Sequence, residues 1–125
     1  IAALPRDDAH PFLRRREARF RIAGSWSVLL RPGGFHVPHT HGQGWLSSAL
    51  YVELPAGLAD TAPEGCLEFG RSDLPLATAQ DPPELLLAPE VGRLVLFPSY
   101  LWHGTVPFTA PGERLTVAFD VIPAD

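Results

Sequence analysis

The chain has one cysteine, Cys66, no lysine and no methionine in its 125 residues. A single thiol excludes an internal disulfide framework. With no secretory signal and no apolar run long enough to cross a bilayer, it points to a cytoplasmic protein. The absence of methionine, with Ile1 as the first residue, points to an amino end either cut from a longer protein or lost to disorder. All ten basic residues are arginine, a bias to which no function is attached. Only 19% of residues are charged and the net charge is −4, so neither nucleic acid nor an anionic membrane is an expected partner. A small-molecule or peptide substrate is expected, and a homodimer stays open. There is no internal repeat or low-complexity tract, and the length fits one domain with one core.

Helix-compatible stretches are scarce as well. The 14 prolines and 11 glycines interrupt the chain so often that the runs between them are short, and these runs are rich in β-branched and aromatic residues. Strands are expected at 19–22, 25–31, 35–39, 45–54, 66–69, 93–97, 104–108 and 114–122, which predicts an all-β sandwich or jelly-roll barrel. A short helix over 8–18, with Asp7 or Asp8 as N-cap and Pro11 near its start, is the one helical expectation. The segment 61–90 reads as a long connection carrying only the strand at 66–69.

What the chain does have is concentrated histidine. Three of its five histidines, His36, His39 and His41, fall in Gly33-Gly34-Phe35-His36-Val37-Pro38-His39-Thr40-His41. On an extended strand, residues two apart point the same way, so His39 and His41 offer two imidazoles to one metal ion. A third ligand from another strand would leave the opposite face of an octahedral site open for chemistry. The same spacing also describes two surface histidines. His36, three residues before His39 and across Pro38, does not share that face. His103 follows the apolar run Leu94-Val95-Leu96-Phe97-Pro98 and ends a strand where a pocket could receive it.

Two further strands carry polar residues at alternating positions. Over 114–119, Arg114, Thr116 and Ala118 share one side. Turned inward, Arg114 needs an anionic partner, for which a dicarboxylate is suited; turned outward, it is an ordinary edge arginine. Along 45–54, Ser47, Ala49 and Tyr51 share a face, giving two small walls and a phenol. A buried tyrosine satisfied by backbone would leave the same pattern.

Taken together, His39-x-His41, His103 and Arg114-x-Thr116 resemble the H-x-D…H…R-x-S signature of iron(II)- and 2-oxoglutarate-dependent oxygenases. Pro38-His39-Thr40-His41, Leu46-Ser47-Ser48-Ala49-Leu50-Tyr51-Val52, Gly65-Cys66-Leu67-Glu68-Phe69 and Leu96-Phe97-Pro98-Ser99-Tyr100-Leu101-Trp102-His103 resemble one bacterial and phage family of such oxygenases with H-x-H in place of H-x-D. The resemblance covers roughly 25–122. It implies a double-stranded β-helix (jelly roll, cupin-like barrel) over 25–125, preceded by an N-terminal segment 1–24. It also implies Fe(II) held by His39, His41 and His103, and 2-oxoglutarate held at its distal carboxylate by Arg114, Thr116 and Tyr51. The implied activity is that of a dioxygenase that hydroxylates a substrate and releases succinate and CO2.

The departures are Ser48 for the family's usual Gly, Asp120 for its Asn, and His41 where most of the superfamily has Asp. A three-histidine face lacks the negative charge of the usual triad. Glu53 lies too far along its strand to supply it. The rival readings are a cupin-type metal enzyme or small-molecule-binding module without 2-oxoglutarate, and a metal-free β-sandwich binding domain. Against the cupin, this chain has Trp45 and Leu46 where that motif has a Glu shortly after His41, and Arg114-x-Thr116 is left unexplained. Gln43, Trp45, Trp102 and the 61–90 loop are expected to shape a substrate entrance.

Overall fold

A computed structural model describes residues 1–74 and 83–124. Seven strands run in chain order as β1 (Arg19–Leu30), β2 (Leu46–Glu53), β3 (Leu67–Phe69), β4 (Leu85–Leu87), β5 (Leu94–Pro98), β6 (His103–Thr105) and β7 (Arg114–Ala124). They form two antiparallel sheets, a four-stranded one in the order β1-β7-β2-β5 and a three-stranded one in the order β4-β3-β6. Phe69 of β3 meets Phe97 of β5 edge-on with ring centroids 5.0 Å apart, joining the sheets face to face as the expected double-stranded β-helix.

Register decides which residues face the interior. Pairing sets Val28 opposite Thr116, Leu30 opposite Arg114, Tyr51 opposite Thr116 and Ser47 opposite Asp120, so alternate residues of β1, β2 and β7 line one inner surface. On the outer face of β2 and β7, Leu46 and Val121 pack with Trp45 and Phe12, and Ile1, Leu4, Leu13 and Phe119 cover the edge of this cluster. Phe12 and Trp45 stack with centroids 5.0 Å apart, and the Trp45 indole N–H donates to the Phe12 carbonyl at 2.9 Å.

That contact explains why the helix expected over 8–18 does not form. The segment makes only a single 3-10 turn, Leu13–Arg15. Asp7 Oδ1 accepts from the Ala9 N–H and His10 Nδ1 from the Phe12 N–H, local turns that compete with helix. Arg15 is drawn to the Gly44 carbonyl at 2.7 Å. The strand expected at 35–39 is reduced to one bridge, His39 opposite His103, because Pro38 has no N–H to give a ladder. The two strands expected at 19–22 and 25–31 are one, β1, with a register shift between Ile22 and Gly24; the position between 24 and 25 falls inside it. β4 lies in what reads as connection and pairs Leu87 with Leu67.

Candidate active site

His39 and His41 are set by backbone bonds rather than by a continuous strand. His39 N–H donates to the His103 carbonyl (2.9 Å) and His103 N–H returns the bond (3.0 Å), while His41 N–H donates to the Ser99 carbonyl (2.9 Å). Beside them Thr105 N–H donates to the His36 carbonyl at 3.0 Å. A glycine is required next to His103: a Cβ on Gly104 would stand 2.8 Å from the His36 carbonyl oxygen, so any side chain would push the 36–39 segment off β6.

The three imidazoles converge. His39, His41 and His103 each offer a ligand nitrogen, and these atoms lie within 4.8 Å of one another. Each ring's Nδ1 is committed to an acceptor: the Val37 carbonyl at 2.7 Å for His39, the Leu101 carbonyl at 2.9 Å for His103, and both Asp120 carboxylate oxygens, at 2.9 and 2.8 Å, for His41. Carbonyls and carboxylates cannot donate, so each Nδ1 carries a proton, which leaves Nε2 as the ring atom that can offer a lone pair to a metal. The Nε2 atoms of His39 and His41 stand 3.1 Å apart. Two ring nitrogens at that distance are held by a shared proton or by a shared cation, so the donor set fits a divalent metal of imidazole preference. Burial pushes the His103 imidazole down to about 4, against the weaker pull of its bond to Leu101, so near neutrality its lone pair is free. His36 is lowered too, chiefly by burial; its ring lies 5.9 Å from that of His39 and lines the cavity outside the donor cluster.

The cavity, about 80 Å³, opens beside these rings and is also lined by Arg114, Thr116, Ala49, Leu67, Phe97 and Trp26. Arg114 is only 2% exposed and Thr116 5%. Among the described residues no carboxylate pairs with Arg114, and its buried Nε has no hydrogen-bond partner. Burial holds its guanidinium below the usual arginine range. A buried cation left in this state costs several kcal/mol, on the order given for unpaired interior charges, which an anionic ligand would offset.

Tyr51 stands behind Arg114, with the guanidinium carbon 5.2 Å from its ring centroid, and its buried hydroxyl also lacks a partner. Burial raises the phenol and the Arg114 charge partly opposes this. Tyr51 does not line the cavity itself. Ser47 is not a cavity wall either, contrary to expectation: its hydroxyl donates to Asp120 Oδ1 at 2.7 Å. Trp45, expected at an entrance, is 2% exposed in the outer core, since it precedes the β2 ladder and strand alternation does not govern it. Trp26 takes the entrance position, 39% exposed and 5.7 Å from His41 centroid to centroid. Gln43 and Trp102 are not in the cavity wall, and residues 75–82 of the 61–90 loop lie outside the described residues.

Residues 24–120 match the family described as "Putative 2OG-Fe(II) oxygenase". The chain belongs to this family. Fe(II) and 2-oxoglutarate are the cofactor and cosubstrate that membership implies, and the histidine cluster and buried arginine fit them. Among solved structures, the chain is similar to a 2OG-Fe(II) oxygenase family oxidoreductase from Burkholderia pseudomallei, with 14% identity and a TM-score of 0.63 over 86% of this chain and 46% of that one. It is similar to a prolyl-4-hydroxylase from Pseudomonas putida at 26% identity and a TM-score of 0.58, over 94% of this chain and 58% of that one. It also shares the fold of iron-bound HygX from Streptomyces hygroscopicus, at 12% identity and a TM-score of 0.60 over 84% of this chain and 59% of that one. The chain thus spans about half the length of these structures. No curated protein sequence matches it. Among the described residues no helix is long and apolar enough to cross a membrane.

Proposed function

We propose that this chain carries the catalytic core of an Fe(II)- and 2-oxoglutarate-dependent dioxygenase that hydroxylates a small-molecule or peptide substrate. One oxygen atom of O2 enters the new C–OH group and the other enters succinate, with CO2 released from 2-oxoglutarate. Bound Fe(II) supplies the redox chemistry that couples this decarboxylation to C–H oxidation. The observation that carries the reading is one cavity lined both by three histidines whose ligand nitrogens converge and by the buried Arg114, whose Nε has no hydrogen-bond partner.

In this reading His39, His41 and His103 hold the metal as neutral ligands, their Nδ1 protons fixed by acceptors behind each ring. Arg114 receives the distal carboxylate of 2-oxoglutarate, Thr116 adds a hydroxyl from the same strand face, and Tyr51 supports the pair from behind or turns its hydroxyl to the same carboxylate. Leu67, Phe97 and Val28 line the cavity with apolar side chains that keep water out, so the charge-assisted bonds form in a medium of low dielectric. Trp26 and His36 flank the opening where a substrate would approach. A free, buried Cys66 is consistent with work in the reducing cytoplasm.

The test is anaerobic addition of Fe(II) and then 2-oxoglutarate to the protein, followed by exposure to O2. A visible charge-transfer band that needs both components, and release of CO2 from 2-oxoglutarate, are expected. His103→Ala should lose metal binding altogether. Metal binding without either the band or CO2 release would instead favour a cupin-type metal enzyme or binding module.

A further inference from the structure

Asp120 is hydrogen-bonded to one member of the histidine cluster, yet among the described residues its oxygens do not join the cluster's ligand atoms. Both oxygens face the back of His41, 2.9 and 2.8 Å from Nδ1. Oδ1 also accepts from Ser47 Oγ at 2.7 Å, and Ser47 lies 2.9 Å from Ser99 Oγ. Ser47 has one proton, and the carboxylate can only accept, so Ser47 donates to Asp120 and Ser99 donates to Ser47. Both serines are 1% exposed. The Ser99 carbonyl accepts the His41 backbone N–H at 2.9 Å, which ties the same residue to the imidazole from a second side. β2, the turn after β5, and β7 therefore hold one carboxylate against one ring.

The groups facing Asp120 are donors, His41 Nδ1–H and Ser47 O–H, so the position is built for an acceptor-only side chain. An amide would bring two N–H donors to a place that offers it little to bond. A ligating imidazole backed by a carboxylate is fixed in tautomer and made a stronger donor. The charge matters as much as the geometry, because three neutral imidazoles leave a divalent ion with its full charge, whereas a carboxylate hydrogen-bonded behind one of them partly offsets it.

We propose that Asp120 is a positioning residue that holds His41 Nε2 toward the metal and returns, through the imidazole, the negative charge that the His39, His41 and His103 donor set lacks. This rests on the reading of those three histidines as metal ligands. It gives a physical role to two departures: His41, where most of the superfamily has a carboxylate ligand, and Asp120 behind it, where the family has Asn. The carboxylate has been displaced outward by one imidazole, not lost.

The test compares wild type, Asp120→Asn, His41→Asp and the double variant His41→Asp/Asp120→Asn, each checked for fold in the metal-free form by circular dichroism. Affinity is read with Co(II) alone, and the Fe(III)/Fe(II) potential by anaerobic titration. Asp120→Asn should weaken Co(II) binding about 10- to 100-fold. It should also raise the potential, since removing a negative charge near iron disfavours the ferric state. In the His41→Asp background the carboxylate touches the metal directly, so Asp120→Asn should cost no further affinity there. This pair keeps the comparison alive if Asp120→Asn alone fails to fold. Affinity and potential equal to wild type in Asp120→Asn, or an equally large loss in both backgrounds, would overturn the role of Asp120 and assign it to the fold alone. Wild type that binds no Co(II), or His103→Ala that binds it equally well, would overturn the three-histidine centre instead.

Discussion

Leu46 and Ser47 are neighbours on β2, and Val121 and Asp120 are their partners on β7, yet the two pairs belong to different interiors. Leu46 and Val121 join Trp45 and Phe12 in an apolar cluster in which the indole N–H is satisfied by the Phe12 carbonyl. One residue along, Ser47 and Asp120 begin a surface that continues through Thr116 and Arg114 and ends with buried polar atoms lacking partners. The outer cluster is almost wholly apolar. The inner surface keeps buried polar atoms that a ligand would satisfy in the proposed reading, so the two faces of the same strands differ in what they leave unmet.

The difference can be broken most severely from the outer side. Trp45→Ala should remove the stack on Phe12 and the indole bond together, lowering unfolding free energy by about 3–5 kcal/mol and bringing down the denaturant midpoint, with metal affinity per folded molecule unchanged. On the inner side the sign should reverse. Arg114→Leu should leave metal-free stability equal or higher, because it removes a buried unpaired charge. Metal should still bind, while 2-oxoglutarate affinity by calorimetry should fall on the order of 100-fold. Normal cosubstrate binding by this variant would sink the assignment of the carboxylate pocket.

A change spread over several pH units concerns protons. His103, held down to about 4 by burial, takes up a proton in the unfolded chain below about 6.5 but not in the folded one until near 4. Protons therefore favour unfolding across that window. The metal-free protein should be at full stability above it and should lose up to roughly 3 kcal/mol as pH falls to its lower edge. Denaturant midpoints against pH should show this slope in wild type, and His103→Gln should flatten it.

Much of the inner surface was legible because strands alternate with period two and the residues involved are chemically conspicuous. His39, His41, His103, Arg114 and Thr116 are all brought to one cavity. What alternation does not reveal is where a hydroxyl turns. Ser47 shares a face with Ala49 and looks like a cavity wall, but Asp120 is the better acceptor nearby and captures it. Asp120 itself continues the series Arg114, Thr116, Ala118 and could have been placed on the inner face by the same rule; it was read only as a departure from Asn. Trp26 and β4 were hidden for different reasons. Trp26 reaches the entrance only because β1 pairs with β7 on the open edge, and Leu85-Leu86-Leu87 has no alternation to mark it as a strand. The helix expected at 8–18 failed because Phe12 is worth more stacked on Trp45 than in a short helix beginning at a proline.

The lone bridge between His39 and His103 has a thermodynamic corollary. Two reciprocal backbone bonds join candidate ligands that are far apart in sequence, so the loop between them is already closed before any ion arrives. A multidentate chelator gains affinity when its arms are tied together beforehand, because little chain entropy is left to lose on binding. Here the tie is main chain, flanked by the Thr105–His36 and His41–Ser99 bonds, and it would present a metal with a macrocycle whose ring is already sealed.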